Sequence, residues 1–271
     1  MSFVFNYRIY TLLLVIITFL SACQFKLKPN EEDDQPTRLQ VQRYDRLESR
    51  YLTTGDFSAL QQMNTTYPIQ TRTLIEDMLQ LGEVSDPEIN SKFLNFYQDT
   101  TLQTVIADVQ AQYADMDDIN KEFDKAFSTL KTWIPSLEVP LIYSQIGALN
   151  QSVVVGNELI GISLDKYLGS DYAIYKRFGY SPSQLQTMKR SYIVPDGLTF
   201  FLLSLYPLKQ FDQRPQKEKD LHMGKVMWTV NKAMGEQMFN TDFTKRVDQY
   251  MKKHPNVTVK HLLESEDYSL F

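Results

Sequence analysis

The residues best placed to do chemistry lie in one stretch: Asp165, Tyr167, Asp171 and Tyr172, followed by Asp196. Paired carboxylates can exchange protons with a substrate or bind a cation, and neighbouring tyrosines can orient them. The simpler reading is that Asp165 and Asp171 end a strand and cap the turn after it, while Asp196 caps a helix. The other chemical residue types are sparse. Three histidines, His222, His254 and His261, form neither an H-E-x-x-H motif nor an i, i+4 pair, so a histidine-based zinc site has little support. No nucleophile elbow, phosphate-binding loop or dinucleotide fingerprint occurs, and the residues call for no metal and no cofactor.

Cys23 is the single cysteine of the 271-residue chain and has no intrachain partner for a disulfide. It follows an uncharged apolar run, Tyr10–Leu20, with Arg8 before it and the small residues Ser21 and Ala22 directly in front. That run is about half the roughly 20 residues a membrane-spanning helix needs. It has the form of a secretory signal peptide, residues 1–22. Leu20-Ser21-Ala22-Cys23 looks like a bacterial lipobox, which makes Cys23 a lipidation site. The alternative is a short uncleaved anchor with an incidental thiol. Acyl chains contribute about 0.8 kcal/mol per buried CH₂, so a multiply acylated (palmitate-type) N-terminus holds firmly to a bilayer.

The elements that would position these residues follow from periodicity. Residues 23–38 are charged and poor in apolar side chains, and read as a tether between lipid and domain. Their acidic run, Glu31 to Asp34, is either a plain linker or a surface-sorting signal. A single folded domain is expected over residues 39–271. Between Asp56 and Trp133 the pattern is helical: Asp56 is a cap, Ile69, Leu74, Met78 and Leu81 recur at near-helical spacing, and Asp117 reads as an N-cap. Ile119, Phe123, Phe127 and Leu130 form a core stripe. The period then changes. Residues 139–146, 151–156 and 158–168 are rich in β-branched and aromatic residues and predict a three-stranded antiparallel meander. Ser181-Pro182-Ser183-Gln184 carries a capping box, and a helix is expected from about Pro195. Met223, Val226, Met227, Val230, Met234 and Met238 share a helical face and read as core filler. Phe243, Val247 and Met251 face inward from a further helix, and a short one follows at "TVKHLLES". The sum is a mainly helical α+β domain around a small sheet.

Composition narrows the function. Past Cys23 there are 27 basic and 33 acidic residues. Nucleic acid is therefore not an expected partner, because phosphate contacts need a basic surface.

The stretch "GISLDKYLG" (161–169) within Ile160–Gly169, and the downstream Ile193-Val194-Pro195-Asp196, resemble the gliding motility lipoprotein GldB family of Bacteroidota. "VQRYDRLESRYL" followed by "TTYP" is similar to the family's opening. The resemblance implies an envelope lipoprotein, more in keeping with the outer membrane than the inner, in the setting of gliding and type IX secretion. It also implies a distant likeness to zinc proteases of the gluzincin type, whose H-E-x-x-H helix would fall where this chain has "PDGLTFF". On that ancestry the scaffold is degenerate and the zinc is lost. Three readings follow: a non-enzymatic accessory protein anchored by lipid and working through other envelope proteins; a hydrolase with an unusual carboxylate site; and a lipoprotein binding a small ligand or glycan through its tyrosine-rich centre.

Overall fold

The structure, a computed structural model, describes residues 39–271. The apolar run, the Cys23 lipobox and the acidic tether lie outside the described residues. The first half is helical: α1 (Tyr44–Thr54), α2 (Phe57–Thr66), α3 (Pro68–Arg72), α4 (Ile89–Phe96), α5 (Thr100–Gln112) and α6 (Asp117–Trp133). Side chains set several of the boundaries. The Asp56 carboxylate accepts from the Ser58 and Ala59 amides at the start of α2, and Asp99 does the same for Thr101 and Leu102 at the start of α5. Gly55 ends α1 at φ 69°, a conformation that suits glycine. Asp117 is not a cap. It is the first residue of α6, and its amide is held by the Asp115 carboxylate at 2.7 Å.

The stripe Ile119, Phe123, Phe127 and Leu130 is buried along α6, each side chain contributing about 1.5–3 kcal/mol through removal from water. The expected stripe from Ile69 to Leu81 is broken instead. After α3 the chain widens into a π-helical stretch, Thr73–Met78. The extra residue per turn shifts the phase, so Leu74 and Met78 are buried while Ile69 stands 60% exposed.

Three strands follow: β1 (Leu141–Gln145), β2 (Val153–Gly156) and β3 (Leu159–Ser163). The expected meander is corrected here. The strand order is β1-β3-β2, with β3 antiparallel to β2 and parallel to β1. The β2–β3 hairpin forms, turning at Asn157-Glu158, but the loop after β1 carries β2 to the far edge and leaves the centre to β3. Alternation along β3 puts Ile160 and Ile162 on one face and Gly161 and Ser163 on the other. On the first face, Ile162 approaches Gly197, as does Phe123 of α6. On the second, the Tyr143 ring lies so close over Gly161 that a Cβ there would meet it at 2.5 Å.

The end of the predicted third strand is not extended: Leu164–Lys166 form a 3₁₀ turn. Then come α7 (Ala173–Arg177), α8 (Pro182–Leu185), α9 (Ile193–Leu205), α10 (Gln216–Met234), α11 (Asp242–Lys253) and α12 (Val259–Glu264). The Ser181–Gln184 capping box is present, though α8 is a single turn. Val226, Val230 and Met234 are buried on α10, Met223 and Met227 half-buried, and Met238 lies beyond the helix end. One main core joins α1, α2, α4–α6, the sheet, α7, α9 and part of α10, with smaller clusters under the C-terminal segment.

Candidate functional site

The loop leaving β1 is gripped from two sides. Asp165, fully buried in the 3₁₀ turn, accepts from the Gly147 amide at 2.8 Å and the Leu149 amide at 2.5 Å. Its neighbour Lys166 donates to the Leu149 and Asn150 carbonyls at 3.2 and 3.3 Å and to the Tyr180 hydroxyl at 2.8 Å. Adjacent residues therefore satisfy both the donors and the acceptors of one buried loop. The loop needs this support because Ala148 and Leu149 both occupy left-handed backbone conformations, φ 51° and 62°. A Cβ on Gly147 would collide with the Met78 methyl and meet the Ser163 hydroxyl at 2.7 Å, so these side chains would have to shift to admit it.

A second carboxylate reaches the same loop from α1. Glu48, also fully buried, accepts from the Ile146 amide at 2.8 Å. Its Oε1 has no partner among the described residues. Burial pushes the Glu48 carboxyl well above its ordinary range; the Ile146 bond opposes that shift, and the charges of Asp165 and Asp45 add to it. Asp165 is also raised, by burial, against the pull of its amide bonds. One turn earlier, Asp45 receives a two-bond fork from Arg43 at 2.8 Å and the Ser144 hydroxyl. Asp45 and Glu48 were missed as candidates, yet a signal was present. They are three apart on a helix whose buried face also carries Tyr44 and Leu52.

Tyr167 and Asp196 meet. The Tyr167 hydroxyl donates to the Asp196 carboxylate at 2.9 Å, linking the 3₁₀ turn to the first turn of α9. Asp196 is not the cap of α9, which starts at Ile193. Burial raises its pKa to about 7, and the Tyr167 bond opposes the shift. The pair forms a wall of a polar cavity of about 160 Å³, completed by Ser152, Lys166, Tyr180 and Thr187. Asp171 is not part of it: its side chain is 98% exposed, with only Lys176 nearby at 3.8 Å. The expected cluster thus separates into a structural clamp (Asp165), a cavity pair (Tyr167 and Asp196) and a surface residue (Asp171).

The tyrosine-rich centre is largely spent on the chain itself. Tyr113 donates to the Tyr167 carbonyl at 2.6 Å, Tyr175 to the Asp165 carbonyl, Tyr180 to the Leu149 carbonyl at 2.8 Å, and Tyr172 to Asp108 at 2.6 Å. His254 and His261 are exposed, while His222 is buried against the Tyr268 hydroxyl at 3.0 Å. Among the described residues no three His, Cys, Asp or Glu side chains converge to hold a metal ion, and no helix is long and apolar enough to cross a membrane.

No curated protein and no solved structure matches this chain. The sequence profile of one family, described as gliding motility protein GldB, matches residues 25–243. That span contains α1 through α10, the sheet, the gripped loop and the Tyr167–Asp196 pair. It covers more than half of the chain, and the protein belongs to the gliding motility protein GldB family.

Proposed function

We propose that this protein is a lipid-anchored accessory component of the cell envelope, held at the outer membrane through Cys23. It serves gliding or the associated secretion machinery through protein contacts rather than catalysis. The observation that carries this reading is the family match across residues 25–243. The small residues before Cys23 suit cleavage there, and the Cys23 sulfur takes the lipid anchor. The non-catalytic role is supported by how the central carboxylates are used: both Asp165 oxygens hold backbone amides, and Asp171 is exposed at the surface beside Lys176. The test is Cys23→Ala. Wild type should sediment with membranes and carry radiolabelled palmitate. The variant should lose both, and tight membrane association of the variant would overturn the anchor.

A second reading has one observation in its favour, the cavity beside Asp196. Its lining of hydroxyls, the Gln184 amide, the Lys166 ammonium and the Asp196 carboxylate offers both donors and acceptors to a small polyhydroxyl ligand. Ligand-observed NMR with a panel of monosaccharides, on wild type and Asp196→Ala, checks it. A signal that survives the substitution counts against it.

A further inference from the structure

A groove of about 1000 Å³ runs between the segment after α6, the β2–β3 turn and the end of α9. Its floor is apolar: Ile134, Leu137 and Phe201 are buried beneath it. Along its rim Val139, Leu141 and Leu205 remain 38%, 38% and 47% exposed, and Phe200 on the same helix 43%. Single exposed apolar side chains are ordinary, but a contiguous group rimmed by charge marks a contact surface.

The field over this groove is negative. Glu138, Glu158 and Glu264 line it against a single cation, Lys260. Lys260 already faces Glu264 at 3.7 Å, and Glu138 and Glu158 have no ion-pair partner among the described residues. Three helices also end here: α6 before Ile134, α9 at Leu205 and α12 at Glu264. The last carbonyls of a helix lack partners within it and carry partial negative charge; α9 has no basic residue in its last turn to offset them, whereas α6 has Lys131 and α12 has His261.

We propose that this groove docks a polypeptide segment of another protein, with apolar side chains on the floor and lysine or arginine flanks against Glu138, Glu158 and the end of α9. The inference rests on the reading that the protein works through protein contacts, and gives the partner a chemistry. Charge favours this occupant over the alternatives. A second copy carries net negative charge, 33 acidic against 28 basic residues, and anionic headgroups would be repelled by the groove's own carboxylates.

The test uses the full lipidated chain in nanodiscs and three synthetic dodecapeptides. One has a Leu-Val-Phe-Ile centre with lysine flanks, one the same centre with glutamate flanks, and one a Ser/Thr centre with lysine flanks. Fluorescence anisotropy should show the first binding at least tenfold tighter than the other two, with affinity falling as salt rises. The double variant Glu138→Lys, Glu158→Lys should reverse the preference toward glutamate flanks, a gain that misfolding cannot produce. Equal binding of the two apolar peptides, or an unchanged preference in the double variant, overturns the proposal. Membrane retention through Cys23 is measured separately, so failure of the groove and failure of the anchor are distinguishable.

Discussion

Asp165 and Asp196 are both enclosed carboxyls, yet replacing each with its amide should have opposite consequences. Asp165 uses two oxygens as acceptors for two amides. An asparagine keeps one acceptor and turns an NH₂ toward the other amide. Asp165→Asn should therefore destabilise the protein by about 2–4 kcal/mol at pH 7, measured by urea denaturation. Asp196 has a folded pKa raised to about 7. Its proton is bound more tightly in the folded state than in the unfolded chain. Its stability contribution is therefore full below pH about 4 and is lost as pH rises through about 7. Asp196→Asn mimics the protonated form and removes that loss. Thermal melts should show the variant gaining on wild type from pH 4 to 8, with a ceiling of roughly 4 kcal/mol. A parallel pH profile for the two proteins would contradict the assignment.

At the scale of elements, two close approaches hold the helical layer in place. Gly224 lets α10 lie directly on α11: a Cβ there would meet the Phe243 Cβ at 2.7 Å and its backbone carbonyl carbon at 3.0 Å. Backbone cannot swing aside as a long side chain can. Gly224→Ala should cost about 1–3 kcal/mol through overpacking, although alanine is the better helix former, and the loss should appear as a lower melting temperature. The sheet depends on a comparable device. Because Gly161 has no side chain, the Tyr143 ring lies over β3, packed edge-on to Tyr44 of α1 at 6.1 Å between centroids. The parallel β1–β3 pairing is flanked at β1 by the Gln42 bridge to Tyr143, just before α1, and tied to α1 itself by the Asp45–Ser144 bond.

Across the whole molecule, the C-terminal segment closes over α10 through buried contacts to Lys225 and His222 and through more exposed ion pairs to the segment before the helix. Lys225 donates to the Ser265 carbonyl at 2.5 Å, His222 meets Tyr268, and Glu266 is paired with Arg214 at 2.6 Å and Lys209 at 3.2 Å. Burial, helped by the charge of Lys225, lowers the His222 pKa to about 4. The neutral imidazole is thus the form that fits. Its stability contribution is full above pH about 6.5 and is lost as pH falls toward 4, the reverse of Asp196. Hydrogen exchange should find the amides around 263–268 losing protection between pH 6.5 and 4 before those of β3. His222→Gln should flatten that dependence.

The sequence alone carried the α6 stripe, the caps at Asp56 and Ser181, the hairpin of β2 and β3, and the α+β class. Each is written in local periodicity or in side chains a few residues apart. It also held the two motifs that join at Tyr167–Asp196, though nothing in their spacing says that they touch. Tertiary structure alone decided the rest. The parallel placement of β1 depends on a buried loop whose donors and acceptors are satisfied by residues as distant as Glu48. The division of Asp165, Asp171 and Asp196 into clamp, surface and cavity depends on burial, which decides their hydrogen bonds and raises the proton affinity of Asp165 and Asp196. The acidic groove exists only because three helices distant in sequence end at one place, where their terminal carbonyls add to the charge of three glutamates.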